Sequence, residues 1–280
     1  VLGGGPGGLS AAYYLQLMGH QATVYEMLPK LGGMLRYGIP NYRLPKERLD
    51  DDINAILKTG VDVKYGLKIG QDISIQDLRD QYDAVLITIG ASTDKKLGLE
   101  GEDADGILSA VQFLRNVGKQ EIMDLTGKQV AVIGGGNVSM DAVRTAKRLG
   151  AEKVSIVYRR RVADMTALPD EIEGAVAEGI ELQTLKAPAS LDVNENHHIR
   201  GIYVTPQMVS AIKNGRASIR PTGEEDIYIP CDVLIVAIGQ NIETKHFEEA
   251  GIPVERGKIV TKRTRAFENT RGVLAGGDCG

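Results

Sequence analysis

The chain has 280 residues, a length that suggests about two domains at roughly 150 residues each. Its 34 glycines exceed the typical ~7% of a chain, while 42% hydrophobic and 25% charged residues are ordinary and exclude disorder or a collagen-like repeat. Lys+Arg 33 against Asp+Glu 37 gives a net charge of -4, so no global positive field exists to hold nucleic acid or an anionic membrane, and no apolar run approaches the ~18 residues of a membrane span. A soluble, cytoplasmic protein is expected, without nucleic-acid or membrane partners.

The chain opens on Val1-Leu2 with no initiator Met and stops at GGDCG, so further sequence is expected on both sides. Residues 1–26 read strand, glycine turn, helix, strand: Gly3, Gly5 and Gly8 satisfy G-x-G-x-x-G, with Pro6 opening the helix. Leu9, Ala12 and Leu15 then give a helical apolar stripe up to Gly19, and a strand over Ala22 to Tyr25 ends in Glu26. Pro45 and the following KERLDDDINAILKTG predict a helix with proline in its first turn and Gly60 as its stop.

The apolar run DAVLITIGA (83–91) is short enough for a buried parallel strand, and DVLIVAIGQ (232–240) repeats its pattern. Residues 129–160 repeat the opening unit: strand Val130 to Ile133, turn Gly134 to Gly136, and a stripe of Val138, Ala142, Ala146 and Leu149. Ser139 stands there in place of the third glycine, small enough to keep the packing close. Alternation around Ile199 to Val204 and Asp226 to Ile229 predicts an antiparallel meander over 185–230.

In such a turn the first glycine allows the tight bend, the second lets backbone approach a pyrophosphate, and the third lets helix and strand pack closely. The anion sits on the helix N-terminus, held by unpaired N–H groups and the helix dipole. Two dinucleotide sites are therefore expected, and the residue after the second strand separates them. Glu26 is a carboxylate suited to ribose hydroxyls and repels a 2′-phosphate, favouring FAD or NAD. Its counterpart is read as Arg159, followed by Arg160 and Arg161, cations that attract a 2′-phosphate and favour NADP(H).

With these motifs in hand, the chain resembles the glutamate synthase small (beta) subunit family of pyridine nucleotide–flavin oxidoreductases along its whole length. The resemblance rests on KLGGMLRYGIPNYRLPKERLD (30–50), GASTDKKLGLEGED (90–103), VIGGGNVSMDAVRTAKRLGA (132–151), VYRRR (157–161) and GVLAGGD (272–278). It implies an α/β fold of two Rossmann-like domains in a glutathione-reductase-like architecture, one inserted in the other. Residues 1–95 and 236–280 would bind FAD, and 96–235 NADPH.

Carried over by position, Gly3, Gly5, Pro6 and Gly8 would hold the FAD pyrophosphate and Glu26 its adenosine ribose. Gly33, Leu35 and Arg43 would lie in the loop beside FAD, Gly90 would follow the buried strand, and Gly277 and Asp278 would meet the ribityl or phosphate region. Gly134, Gly136, Asn137, Val138 and Ser139 would form the NADPH pyrophosphate turn, Arg159 and Arg160 the 2′-phosphate clamp, and Ile238 and Gly239 a turn close to NADPH.

The resemblance also implies hydride transfer from NADPH to FAD, then electron transfer to iron–sulfur centres in an iron–sulfur domain or partner subunit, including a large amidotransferase subunit. Ferredoxin–NADP reductase and transhydrogenase subunits share these motifs, and a non-catalytic nucleotide-binding scaffold is a reading of another class. Cys231 and Cys279 form neither a C-x-x-C pair nor a cluster site, so a dithiol relay is disfavoured. The segment alone is expected to retain FAD weakly. No acid–base residue and no metal ligand is nominated; His20, His197, His198 and His246 fall in expected loops or surface helix.

Overall fold

A computed structural model describes residues 1–213, 216–261 and 272–280. The chain divides into two compact units, Val1–Thr93 with Gln240–Gly280, and Asp94–Gly239.

In the first unit, α1 (Pro6–Leu17) leads to β1 (Thr23–Glu26), the single turn α2 (Met34–Tyr37), α3 (Lys46–Leu57), β2 (Asp62–Tyr65), α4 (Ile75–Gln81) and β3 (Val85–Ile87). β1 pairs in parallel with β2, and β3 with the strand Val273–Ala275. Leu2 bridges the two pairs, lying parallel to both Tyr25 and Ile87. The opening strand is thus the middle of a parallel sheet, fully buried at Leu2 as its apolar sequence requires. Leu9 and Ala12 of α1 pack with Leu49 and Ile53 of α3 against Val24, while Ile75 and Leu78 of α4 cover the opposite set, including Tyr25 and Ile87. Pro45 is the N-cap of α3 rather than its first helical residue, and Gly60 turns the chain beyond its end at φ +98°.

In the second unit, β4 (Ile107–Ser109), β5 (Gln129–Ile133), β6 (Lys153–Tyr158), β7 (Glu181–Thr184) and β12 (Val233–Val236) make a five-stranded parallel sheet in the order β4-β12-β5-β6-β7. The expected meander is present as β8 (Lys186–Val193), β9 (Ile199–Lys213), β10 (Arg216–Pro221) and β11 (Ile227–Pro230), antiparallel throughout.

Strand alternation builds three layers from this sequence. Val130, Val132, Val154, Ile156, Val233 and Ile235 face the helices α5 (Ala110–Gly118), α6 (Asn137–Arg148) and α7 (Pro169–Ala177). Their neighbours Ala131, Ile133, Val157 and Leu234 face Ile199, Ile202 and Val204 of the meander. Each buried Val, Leu or Ile among them contributes about 1.5–3 kcal/mol. Among the described residues no helix is long and apolar enough to cross a membrane.

Candidate functional site: two glycine turns of opposite chemistry

At the first turn Gly3 takes φ +102°, closed to ordinary side chains, and a Cβ there would stand 2.6 Å from Thr88 O. Its N–H donates to Tyr25 O at 2.8 Å. Gly5 is the N-cap of α1 with Pro6 at the first helical position, where a missing N–H costs nothing. Gly8 lets helix and strand meet: a Cβ would stand 1.9 Å from Gly3 O and 2.8 Å from the Thr88 hydroxyl. That hydroxyl donates toward Leu2 O at 2.9 Å and Gly3 O at 3.2 Å.

Glu26 turns inward, 5% exposed. Its Oε2 accepts from Gly4 N and its Oε1 from Leu28 N, each at 2.8 Å. Burial pushes its pKa up, and the N–H groups of Leu28, Gly4 and Met27 act in the opposite direction. Each oxygen keeps a lone pair for a further donor such as a ribose hydroxyl.

The loop after β1 folds back on this turn. Gly32 N donates to Gly4 O at 2.8 Å, and a Cβ on Gly33 would stand 2.7 Å from Gly5 Cα. Two cations hold the loop: Lys46 Nζ donates to Leu35 O at 2.8 Å and Ile39 O at 2.5 Å, and buried Arg36 bonds Leu31 O and the Asp50 carboxylate. Gly277 reaches the same place from the C-terminal strand, within 3.8 Å of where a Cβ on Gly7 would lie. Asp278 beside it is exposed and Cys279 is buried. The structure therefore gathers Gly3, Gly5, Pro6, Gly8, Glu26, Gly33 and Gly277 around one helix start. Leu35 follows in α2 on the loop's apolar side, Gly90 lies two residues past Thr88, and Arg43 sits half-buried in the turn after Pro40.

The second turn repeats this backbone with different side chains. Gly134 has φ +147°, its N–H donates to Val157 O at 3.1 Å, and a Cβ would stand 2.4 Å from Ala237 O. Gly136 is the N-cap of α6. Ser139 is fully buried beside Gly134, and its hydroxyl has no hydrogen-bond partner among the described residues. The hydroxyl has changed sides between the copies. In the first, Thr88 on the strand faces Gly8 on the helix; in the second, Ala237 on the strand accompanies Ser139 on the helix. The repeated runs at 83–91 and 232–240, set beside the glycine motifs, carry that exchange in the sequence.

One sequence expectation is corrected here. Gly3 bonds Tyr25 O and Gly134 bonds Val157 O, so the residue equivalent to Glu26 is Tyr158 and not Arg159. A Cβ on Gly4 would meet Glu26 Oε2 at 2.9 Å, and one on Gly135 would meet the Tyr158 ring at 2.6 Å. Where the first turn rests on a carboxylate, the second rests on a neutral phenol whose hydroxyl donates to Asp164 O at 2.8 Å. The offset arises because strand-end register is set by the bond from the first glycine, a backbone fact that counting residues does not reveal.

The arginines follow that ring. Arg159 is exposed and has no side-chain partner among the described residues, whereas Arg160 is half-buried with its carbonyl accepting from Leu185 N at 3.1 Å. Arg161 is bound to Asp164, Nε to Oδ2 at 2.8 Å and Nη2 to Oδ1 at 3.0 Å. The loop then returns to the turn: Thr166 N and Ala167 N both donate to Gly135 O, at 2.9 and 3.1 Å, and Leu168 N donates to Asn137 Oδ1 at 2.9 Å. Val138 packs on the helical side of the core. Ile238 is 39% exposed immediately beyond Ala237, and Gly239 O accepts from Lys95 N at 3.4 Å. Sequence reasoning missed Thr88, Lys46 and Tyr158, whose hydroxyl or ammonium groups bond backbone carbonyls, and Asp164, whose carboxylate pairs with Arg161.

Two parallel-sheet units, one inserted in the other and each bearing a side-chain-free turn at a helix start, define a two-fold dinucleotide-binding protein. Known proteins agree with that class. The pyridine nucleotide-disulphide oxidoreductase family matches residues 1–280, and the chain belongs to it. It is 39% identical over 99% of its length to NADP(+)-dependent formate dehydrogenase subunit beta of Moorella thermoacetica, and spans 40% of that protein. The expected resemblance is borne out: the glutamate synthase (NADPH) small chain of Escherichia coli is 32% identical over 99% of this chain and 62% of its own. Mycobacterium tuberculosis FprA in complex with NADPH shares the fold, with TM-score 0.78 and 18% identity over 99% of this chain and 77% of that one.

Proposed function

We propose that the chain is the NADPH-dependent, FAD-binding part of an oxidoreductase, with FAD held by the unit of residues 1–93 and 240–280 and NADPH by that of residues 94–239. The observation that carries this reading is the electrical contrast between two otherwise equivalent turns: a buried carboxylate bonded to Gly4 N at one, a phenol followed by arginines at the other. A 2′-phosphate bears close to two negative charges and is repelled by the first arrangement and attracted by the second.

The residues fit both groups. At each site the missing Cβ atoms leave backbone exposed to a pyrophosphate at the start of a 12-residue helix. Glu26 would accept from the ribose hydroxyls of FAD, and Arg159 with Arg160 would bind the 2′-phosphate of NADPH. When bound, the two cofactors supply hydride and single-electron chemistry, and the chain binds and orients them. Neither cysteine takes part: both are buried free thiols, and burial holds Cys231 up at about 12, far from a reactive thiolate.

Electrons would pass on to iron–sulfur centres in further sequence or in a partner subunit, a large amidotransferase subunit being the partner that glutamate synthesis would require. Relatives named as a subunit beta and a small chain support a partner of some kind. A cytoplasmic location goes with this reading, in keeping with reduced cysteines. The test is stopped-flow mixing of the FAD-reconstituted protein with NADPH and with NADH. Rapid flavin bleaching by NADPH in preference to NADH is expected, with the preference lost in Arg159→Ala; bleaching that ignores the 2′-phosphate overturns the cofactor assignment.

A further inference from the structure

Three consecutive arginines after β6 repel one another, and a loop carrying them has to be held against splaying. Asp164 is placed to do this. Its side chain has no exposed surface, its carboxylate grips Arg161 in a two-pronged pair, and Arg161 N also donates to Oδ2 at 3.3 Å. On the other side of the arginine pair, the Asp164 carbonyl accepts from the Tyr158 hydroxyl. Asp164 thus binds both residues that flank Arg159 and Arg160. The segment just beyond it is pinned to the glycine turn through Gly135 O and Asn137 Oδ1.

We propose that Asp164 is a positioning residue for nucleotide selection: it withdraws Arg161 from the ligand and fixes Arg159 and Arg160 where a 2′-phosphate arrives. Charge matching supports this. Taken up by Arg161, the Asp164 carboxylate does not neutralise Arg159, whose cation stays exposed for a 2′-phosphate of nearly two negative charges. With the backbone on either side of them held, Arg159 and Arg160 start from a fixed base, so binding does not also have to order the loop that carries them. The inference rests on the assignment of Arg159 and Arg160 as the phosphate clamp.

Isothermal titration with adenosine 2′,5′-bisphosphate and with 5′-AMP tests it without any flavin or turnover. Asp164→Asn keeps the size and loses the charge. It is expected to weaken the bisphosphate roughly tenfold while leaving AMP unchanged. Arg161→Gln, at a partly exposed side chain, is expected to do the same and carries the test should Asp164→Asn fail to fold. An equal loss for both nucleotides, no loss for either, or a shift in favour of the bisphosphate as Arg161 is released would each overturn the proposal. Arg159→Ala separates the two levels. If it leaves the ratio of affinities unchanged, the clamp assignment itself fails; if it lowers the ratio and Asp164→Asn does not, only the positioning role fails.

Discussion

Glu26 holds two amide N–H groups on a carboxylate that water scarcely reaches, and its pKa is raised above the ordinary 4.5, chiefly by burial. A ligand that donates to this carboxylate binds the ionised form, so it expels a proton wherever Glu26 is protonated. FAD affinity is expected to fall as pH drops through the raised pKa, by up to about tenfold per unit below it. FAD fluorescence quenching across pH reads this, and Glu26→Gln is expected to flatten the dependence and weaken binding throughout. For the protein without FAD the sign is reversed: the contribution of Glu26 to stability is present below 4.5 and is lost as pH rises through the folded pKa. Ser139 offers a second residue-scale test. Its buried hydroxyl makes no hydrogen bond among the described residues. Ser139→Ala is expected to stabilise the chain by about 1 kcal/mol, seen as a rise in melting temperature.

Among elements, the loop between β1 and α3 decides how the first turn is presented, and Lys46 ties it down from the first residue of α3. Lys46→Met keeps the stem and removes both bonds to Leu35 O and Ile39 O. FAD affinity is expected to drop roughly tenfold, since charged hydrogen bonds of this kind are worth about 1.5–3 kcal/mol, while titration with adenosine 2′,5′-bisphosphate shows no change. The two glycine turns, the parallel strands and the meander were legible in the sequence because turn chemistry and strand alternation are local. The equivalence of Tyr158 to Glu26 and the grip of Asp164 on its loop were not. The first is set by a backbone bond from the turn to a strand and the second by the path of a short irregular loop, and periodicity determines neither.

For the molecule as a whole, each unit carries its own core, and the sheet of the unit at residues 94–239 is buried on both faces. Ile202, fully buried against Ala131, Val157 and Leu234, joins its meander to that sheet. Ile202→Ala is expected to cost about 2–5 kcal/mol, measured by thermal unfolding. Saturating adenosine 2′,5′-bisphosphate should restore part of the loss, since a ligand at 100 times its Kd adds about 2.7 kcal/mol.

The carbonyl of Gly135 takes two amide protons and that of Gly4 takes one, all from the loops that follow the second strands. Each turn is thereby closed on the loop of its own unit. The bend that receives a diphosphate is thus set by the chain before any ligand arrives, and binding does not have to meet the cost of shaping it.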